Sequence, residues 1–209
     1  MPLSEQIAAK AQSIVETLTQ TDYQHRDNID ASAGIYDCDC NGFLAFVLSA
    51  VAPRHLADIP IDTQPGSVES RPRAFEYYGF FASLTPASAG AWRRVDGLAD
   101  ARRGDIVAWR FPTLEKGVDT GHVVILADAP ALDASGDFYA VRVYDSAAEA
   151  HFDDTRDPGG APAATGQTGV GAGTVRMKVD GEGRPIAYLF APPATAQYAY
   201  RPIAIGRAM

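Results

Sequence analysis

Cys40 stands where a thiol can do chemistry. It follows Asp39, precedes Asn41-Gly42-Phe43 and opens a stretch to Val51 that is apolar almost all round. Such a stretch predicts a buried helix over Cys40–Val51, stopped by Pro53. A thiol at a helix start meets unpaired N–H groups and the positive end of the helix dipole. Both favour the thiolate, so the expectation is a nucleophile titrating at roughly 3.5–7.5. The same N–H groups suit an oxyanion formed by attack on a carbonyl, and Gly42 leaves room for a substrate backbone. The competing reading of Cys40 is a small buried apolar residue.

A thiol nucleophile needs a base. Of the four histidines, His25 falls in a polar connector, His55 follows Pro53-Arg54 and His151 sits among acids, whereas His122 opens an apolar strand. Pairing Gly121–Ala127 with Phe138–Asp145 as an antiparallel hairpin, with Leu126 opposite Val141, sets His122 opposite Asp145. Alternate residues share a face, so His122, Val124 and Leu126 lie with Val141, Val143 and Asp145. With that face on the Cys40 helix, Cys40, His122 and Asp145 form a line of nucleophile, base and orienter. A slip of one residue would turn Asp145 away. Cys38 is either a rival nucleophile or half of a metal site. Its Cys-x-Cys spacing departs from that of zinc sites and no second pair exists, so no metal and no cofactor is expected. Both cysteines read as free thiols, which fits a reducing compartment.

The elements that must hold these residues follow from periodicity. Leu3–Thr19 reads as a helix with Ser4 as N-cap, then a polar connector runs from Gln20 to Ala33. After the Cys40 helix, Val51–Arg71 reads as loop, and Pro72 opens a third helix that ends near Leu84. From Gly104 the period changes to two: Ile106–Trp109, His122–Leu126, Phe138–Asp145, a hairpin of Thr174–Val179 with Pro185–Phe190, and a last strand Arg201–Ile205. Helices first and strands second predict an α+β fold in a single domain over residues 1–209, with helices on a mainly antiparallel sheet. The stretch 153–173 reads as a flexible loop. Its Gly169-Val-Gly171-Ala-Gly173 lacks the lysine and helix of a phosphate loop. The acids Asp153-Asp154 read as a solvated turn.

The chain has 209 residues with 18 Lys and Arg against 26 Asp and Glu, a net charge of -8. That acidity argues against nucleic acid as a partner and against a basic membrane-docking face. The longest apolar run, Phe43–Ala52, is far short of the ~20 residues of a membrane span. No signal peptide is visible, so the protein is expected to be cytoplasmic or exported by a non-classical route.

Three short motifs in order resemble a known family. Asp39-Cys-Asn-Gly-Phe43 is similar to the Asp-Cys-Ser-Gly-Phe/Leu signature of the NlpC/P60 cysteine peptidases. Arg103-Gly-Asp-Ile-Val-Ala-Trp109 is similar to their Gly-Asp-Leu-Val strand, and Gly121-His-Val-Val-Ile125 to their His-Val-Gly-Ile strand. The likeness covers about Tyr36 to Ser146, within a family-like core of about 34–150. It implies a papain-like α+β fold and hydrolysis of peptide bonds, typically in bacterial cell-wall peptides, with Cys40 as nucleophile and His122 as base. Gly42 fits the signature only with Cys40 as its cysteine. Asp145 falls on the third polar position, where the family more often has His, Asn or Gln. Asp39 and Asn41 fall where relatives contact substrate. Tyr36 is read either as a hydroxyl for the oxyanion site or as a packing aromatic. The expectation is a thiol-dependent amide hydrolase acting on small or cell-wall-type peptides. The alternatives are an acyltransferase using the same acyl-enzyme and an inactive peptide-binding domain.

Overall fold

A computed structural model describes residues 1–62, 70–114, 119–157, 168–190 and 197–209. Four helices precede most of the strands. Helix α1 spans Leu3–Thr17 and buries Ile7, Ala8, Ala11 and Ile14. Its N-cap is Pro2, and Ser4 lies inside the first turn, buried rather than capping. Helix α2 spans Cys40–Val51 as periodicity predicts. Between them, the connector holds three short strands, β1 (Gln20–Asp22), β2 (Asn28–Asp30) and β3 (Ile35–Asp37), with β3 in the middle. β1 and β2 are mostly exposed and, at three residues each, too short for alternation to mark them as strands.

The expected loop after α2 contains a short helix, α3 (Pro53–Ala57), which Pro53 opens. Helix α4 starts at Ala74, two residues past Pro72, because Glu76 accepts from the Arg73 backbone N–H at 2.6 Å and fixes Arg73 as the cap.

The strands are β4 (Trp92–Val95), β5 (Ile106–Arg110), β6 (Gly121–Leu126), β7 (Ala131–Leu132), β8 (Tyr139–Ala147), β9 (Gly169–Val179), β10 (Pro185–Leu189), β11 (Ala199–Tyr200) and β12 (Ile203–Ala208). They form one sheet in the order β11-β10-β9-β8-β6-β5-β12-β4, with β7 pairing β8. Its neighbours pair antiparallel, so the α+β class is as expected. Strand β4, unpredicted, pairs the last strand at the edge.

The sheet curls. Trp109 on β5 lies 4.4 Å, ring centre to ring centre, from Tyr188 on β10, although β6, β8 and β9 separate those strands. The curl encloses a core of Val107, Trp109, Val124, Leu126, Val141, Val143, Val175, Met177, Tyr188 and Ile205. The outer face carries the helices, with Phe43, Leu44, Val47 and Leu48 of α2 in one core with Val123, Ile125, Ile106 and Ala108. The two faces of β6 therefore serve two cores, and its near-continuous apolar run reflects that.

The described residues of the expected loop 153–173 are partly strand. Residues 158–167 lie outside the described residues. Before them, the chain runs back along β9, with Phe152 and Thr174 exchanging backbone hydrogen bonds of 3.1 and 2.7 Å. After them, Gly169–Gly173 are the first residues of β9, which starts well before the expected Thr174.

Candidate active site

Asp39 caps α2. Its Oδ1 accepts from the Gly42 N–H at 2.8 Å, and its carbonyl accepts from Phe43 N–H. The N–H groups of Cys40 and Asn41 are left with no acceptor among the described residues, as the first turn of a helix dictates. Asp39 is not free to meet a substrate cation. Arg71 Nη2 lies 3.0 Å from its Oδ1 and His25 Nδ1 3.3 Å from its Oδ2. Arg71 also holds Asp27 through Nε at 2.9 Å. The space that Gly42 leaves is filled by the Asp27 carboxylate, which a Cβ at residue 42 would strike. That corrects the expectation of a substrate backbone there.

The Cys40 thiol is 2% exposed and sits in the helix-side core. Burial pushes its pKa well above the ordinary thiol value, and the charge of Asp39 adds to that; the Val123 backbone amide acts in the opposite sense. The expected resting thiolate is therefore overturned: loss of hydration and a carboxylate next door outweigh the helix terminus. Cys38 is fully buried and its thiol is likewise raised by desolvation. Its carbonyl accepts from Ser146 Oγ at 2.6 Å.

His122 and Asp145 meet. The His122 Nε2 to Asp145 Oδ2 distance is 2.7 Å, with the carboxylate wholly buried. The register differs from the expected one by two residues, with Leu126 opposite Val143 and Ile125 opposite Tyr144. An even shift leaves every side chain on its face, and Asp145 reaches His122 diagonally. His122 Nδ1 has no hydrogen-bond partner among the described residues, and the His122 side chain keeps 8% exposure.

The face that carries this pair is not the one α2 covers. His122 packs on Trp109 (5.2 Å between ring centres) and Phe190 (5.1 Å), inside the curl, whereas Cys40 packs with Val123 and Ile125 outside it. Cys40 and His122 share no hydrogen bond among the described residues. What joins the two sides is the end of β6. The β6–β8 pairing includes only Ile125 and Leu126, while Asp145, Ser146 and Ala147 pair with β9 instead. Val123, whose amide acts on the sulfur, and His122, which bonds Asp145, both belong to this unpaired end.

Sequence reasoning missed the residues that hold Asp145. His151 Nε2 lies 2.8 Å from the same Oδ2, and Arg156 Nη2 lies 3.0 Å from Oδ1. Arg156 is gripped in turn by Asp154 through Nε (2.9 Å) and Nη2 (2.7 Å) and by the Gly169 carbonyl (2.8 Å). Despite the burial that opposes ionisation, the charges of His151 and Arg156 and these hydrogen bonds hold Asp145 well below the usual carboxylate range. The solvated turn expected at Asp153-Asp154 is thus wrong for Asp154, which is buried. The readable signal was His151, Asp154 and Arg156 just before three alternate glycines. A Cβ at Gly171 would strike Arg156, and one at Gly173 would strike Asp154 and His151.

Two phenols also escaped notice. Tyr23 and Tyr77 are raised by burial, and an ionised Cys40 would raise both further. The Tyr77 hydroxyl is buried with no hydrogen-bond partner among the described residues. Tyr36, the phenol singled out from sequence, packs edge-on against Phe46 at 5.6 Å, and no hydrogen bond ties its hydroxyl to Cys40. Asn41 keeps its Oδ1 buried and without a partner among the described residues. No group of metal-ligating side chains occurs among the described residues, and none of their helices is long and apolar enough to cross a membrane. Comparison with known proteins adds no relative: no family model, no curated protein and no solved structure matches the chain.

Proposed function

We propose that the protein is a thiol-dependent hydrolase of amide or peptide bonds, built on an NlpC/P60-like version of the papain-like fold. The observation that carries the reading is the buried His122–Asp145 pair, bonded at 2.7 Å with Nδ1 unbonded among the described residues, beside the strand end whose amide acts on Cys40. The resting thiol is protonated, so His122 acts as a general base and not as half of a standing ion pair. His122 Nδ1 takes the thiol proton as sulfur attacks the carbonyl carbon. The oxyanion is held by the N–H groups of Cys40 and Asn41. The C–N bond breaks, and the leaving amine takes the proton from His122. Water then adds to the thioester and gives a proton to His122; the C–S bond breaks to release the acid, and His122 returns that proton to the departing sulfur. Small peptides of the cell-wall type are the substrate class that the sequence resemblance implies.

A second reading has its own support. The thiol is buried, is not ionised and lacks a bond to His122, which suits a catalytically inactive peptide-binding domain.

Incubation with p-nitrophenyl acetate, followed by peptide mass spectrometry, separates the two. The hydrolase reading expects one hydroxylamine-sensitive acetyl group on Cys40. It should be absent in Cys40→Ala and form about 100-fold more slowly in His122→Ala. A Cys40 that is acetylated only after unfolding overturns it.

A further inference from the structure

We propose that His151 and Arg156 are positioning residues for His122, acting through Asp145 to fix which ring nitrogen of His122 faces the reaction. The proposal rests on the hydrolase reading above, in which His122 is the base.

Asp145 Oδ2 receives both His122 Nε2 (2.7 Å) and His151 Nε2 (2.8 Å), and Oδ1 receives Arg156 (3.0 Å). An ionised carboxylate only accepts, so both imidazoles must carry hydrogen on Nε2. In the neutral His122 ring that leaves Nδ1 bare, ready to accept a proton.

The surroundings of the two rings give the second half. His151 has a fully buried side chain, stacks on Phe190 (4.7 Å between centres, 10° between planes) and has no partner for Nδ1 among the described residues. A hydrogen on that nitrogen would face no acceptor, which buried polar groups avoid, so Nε2 keeps its hydrogen and His151 serves as a fixed donor to Asp145. The His122 side chain keeps 8% exposure, and its Nδ1 is the ring nitrogen left to take the thiol proton during acylation.

Arg156 sets the frame for both. Its grip on Asp154 and on the Gly169 carbonyl is complete without Asp145, so it presents Nη2 to Asp145 from a rigid mount. Asp154 also accepts from the His151 backbone N–H at 2.7 Å, which ties the two positioning residues together.

The test uses the full-length protein and two readouts. One is the ring-proton NMR signal of His122 Nε2–H, and the other is the rate of acetylation of Cys40 by p-nitrophenyl acetate. His151→Phe keeps the stacked ring and removes the donor; His151→Gln restores an N–H. Arg156→Gln and Arg156→Lys form the matching pair. In His151→Phe and Arg156→Gln, the Nε2–H signal should broaden into solvent exchange and acetylation should slow by about 10-fold, the low end of what lost supporting hydrogen bonds do. His151→Gln should keep a sharp signal and acylate at near the native rate, with Arg156→Lys intermediate. If Arg156→Gln does not fold, the His151 pair decides. A sharp His122 signal and native acetylation in folded His151→Phe overturn the proposal. If the native protein is not acetylated at all, the hydrolase reading fails, and the NMR signal alone still decides whether His151 and Arg156 fix the His122 ring.

Discussion

At the scale of single residues, the environment of Cys40 outweighs its address. A helix start lowers a thiol pKa, yet here burial and the Asp39 charge raise it. In the native protein, Cys40 should therefore react with iodoacetamide only above the ordinary thiol range near about 8.5. Alkylation rate against pH, read by mass spectrometry, checks this. Asp39→Asn keeps a capping side chain and removes a negative charge, so the reaction should become severalfold faster at fixed pH. No acceleration would mean that burial alone sets the thiol. Truncation of the support behind His122 should be expensive. Arg156→Met leaves Asp145 and Asp154 buried with a missing cation, and breaking such a pair costs about 3–5 kcal/mol in urea unfolding.

At the scale of elements, the informative strand is β9. Its glycines at 169, 171 and 173 read as part of a flexible loop in sequence, but Gly171 and Gly173 are the floor under Arg156, Asp154 and His151, and Gly169 makes room for Thr21 and Asp22. Asp145 pairs with Gly171 across the ladder, so the carboxylate and the missing side chain stand side by side. Gly173→Ala should push a methyl group into Asp154 and His151 and cost about 1–3 kcal/mol, as overpacking does. The urea midpoint should fall, and the His122 Nε2–H signal should weaken with it. Gly181→Ala, in the β9–β10 turn, meets nothing within 4 Å and should leave both readouts close to native.

At the scale of the molecule, one curled sheet separates two cores and buries charges between its strands. That predicts stability bounded on both sides in pH. Asp145 has a folded pKa below its unfolded one, so its contribution is present above about pH 4 and is lost as pH falls through the lower folded value. The thiols of Cys38 and Cys40 and the phenols of Tyr23 and Tyr77 have folded values above their unfolded ones. Their contribution is complete below about pH 8.5 and declines above it, as the unfolded chain ionises first. Urea midpoints should form a plateau between these limits. An acid limb unchanged in Asp145→Asn would remove that carboxylate from the account.

Local pattern was enough for much of this protein. The apolar run from Phe43, the proline stop at Pro53 and the period-two stretches around His122 and Asp145 determine α2, β5, β6 and β8, because each pattern is written within a dozen consecutive residues. Alternation also put His122 and Asp145 on one face, and it survived a two-residue error in register because the period is two. The exposed strands β1 and β2 left no such pattern, and the start of α4 was fixed by a capping box, not by Pro72. Which core each face of β6 would join was a tertiary matter, since β6 is apolar on both sides and reads the same either way. So was the ionisation of Cys40: a pKa depends on water excluded by Tyr23, Tyr77 and other distant segments, and solvent exclusion has no signature in neighbouring residues.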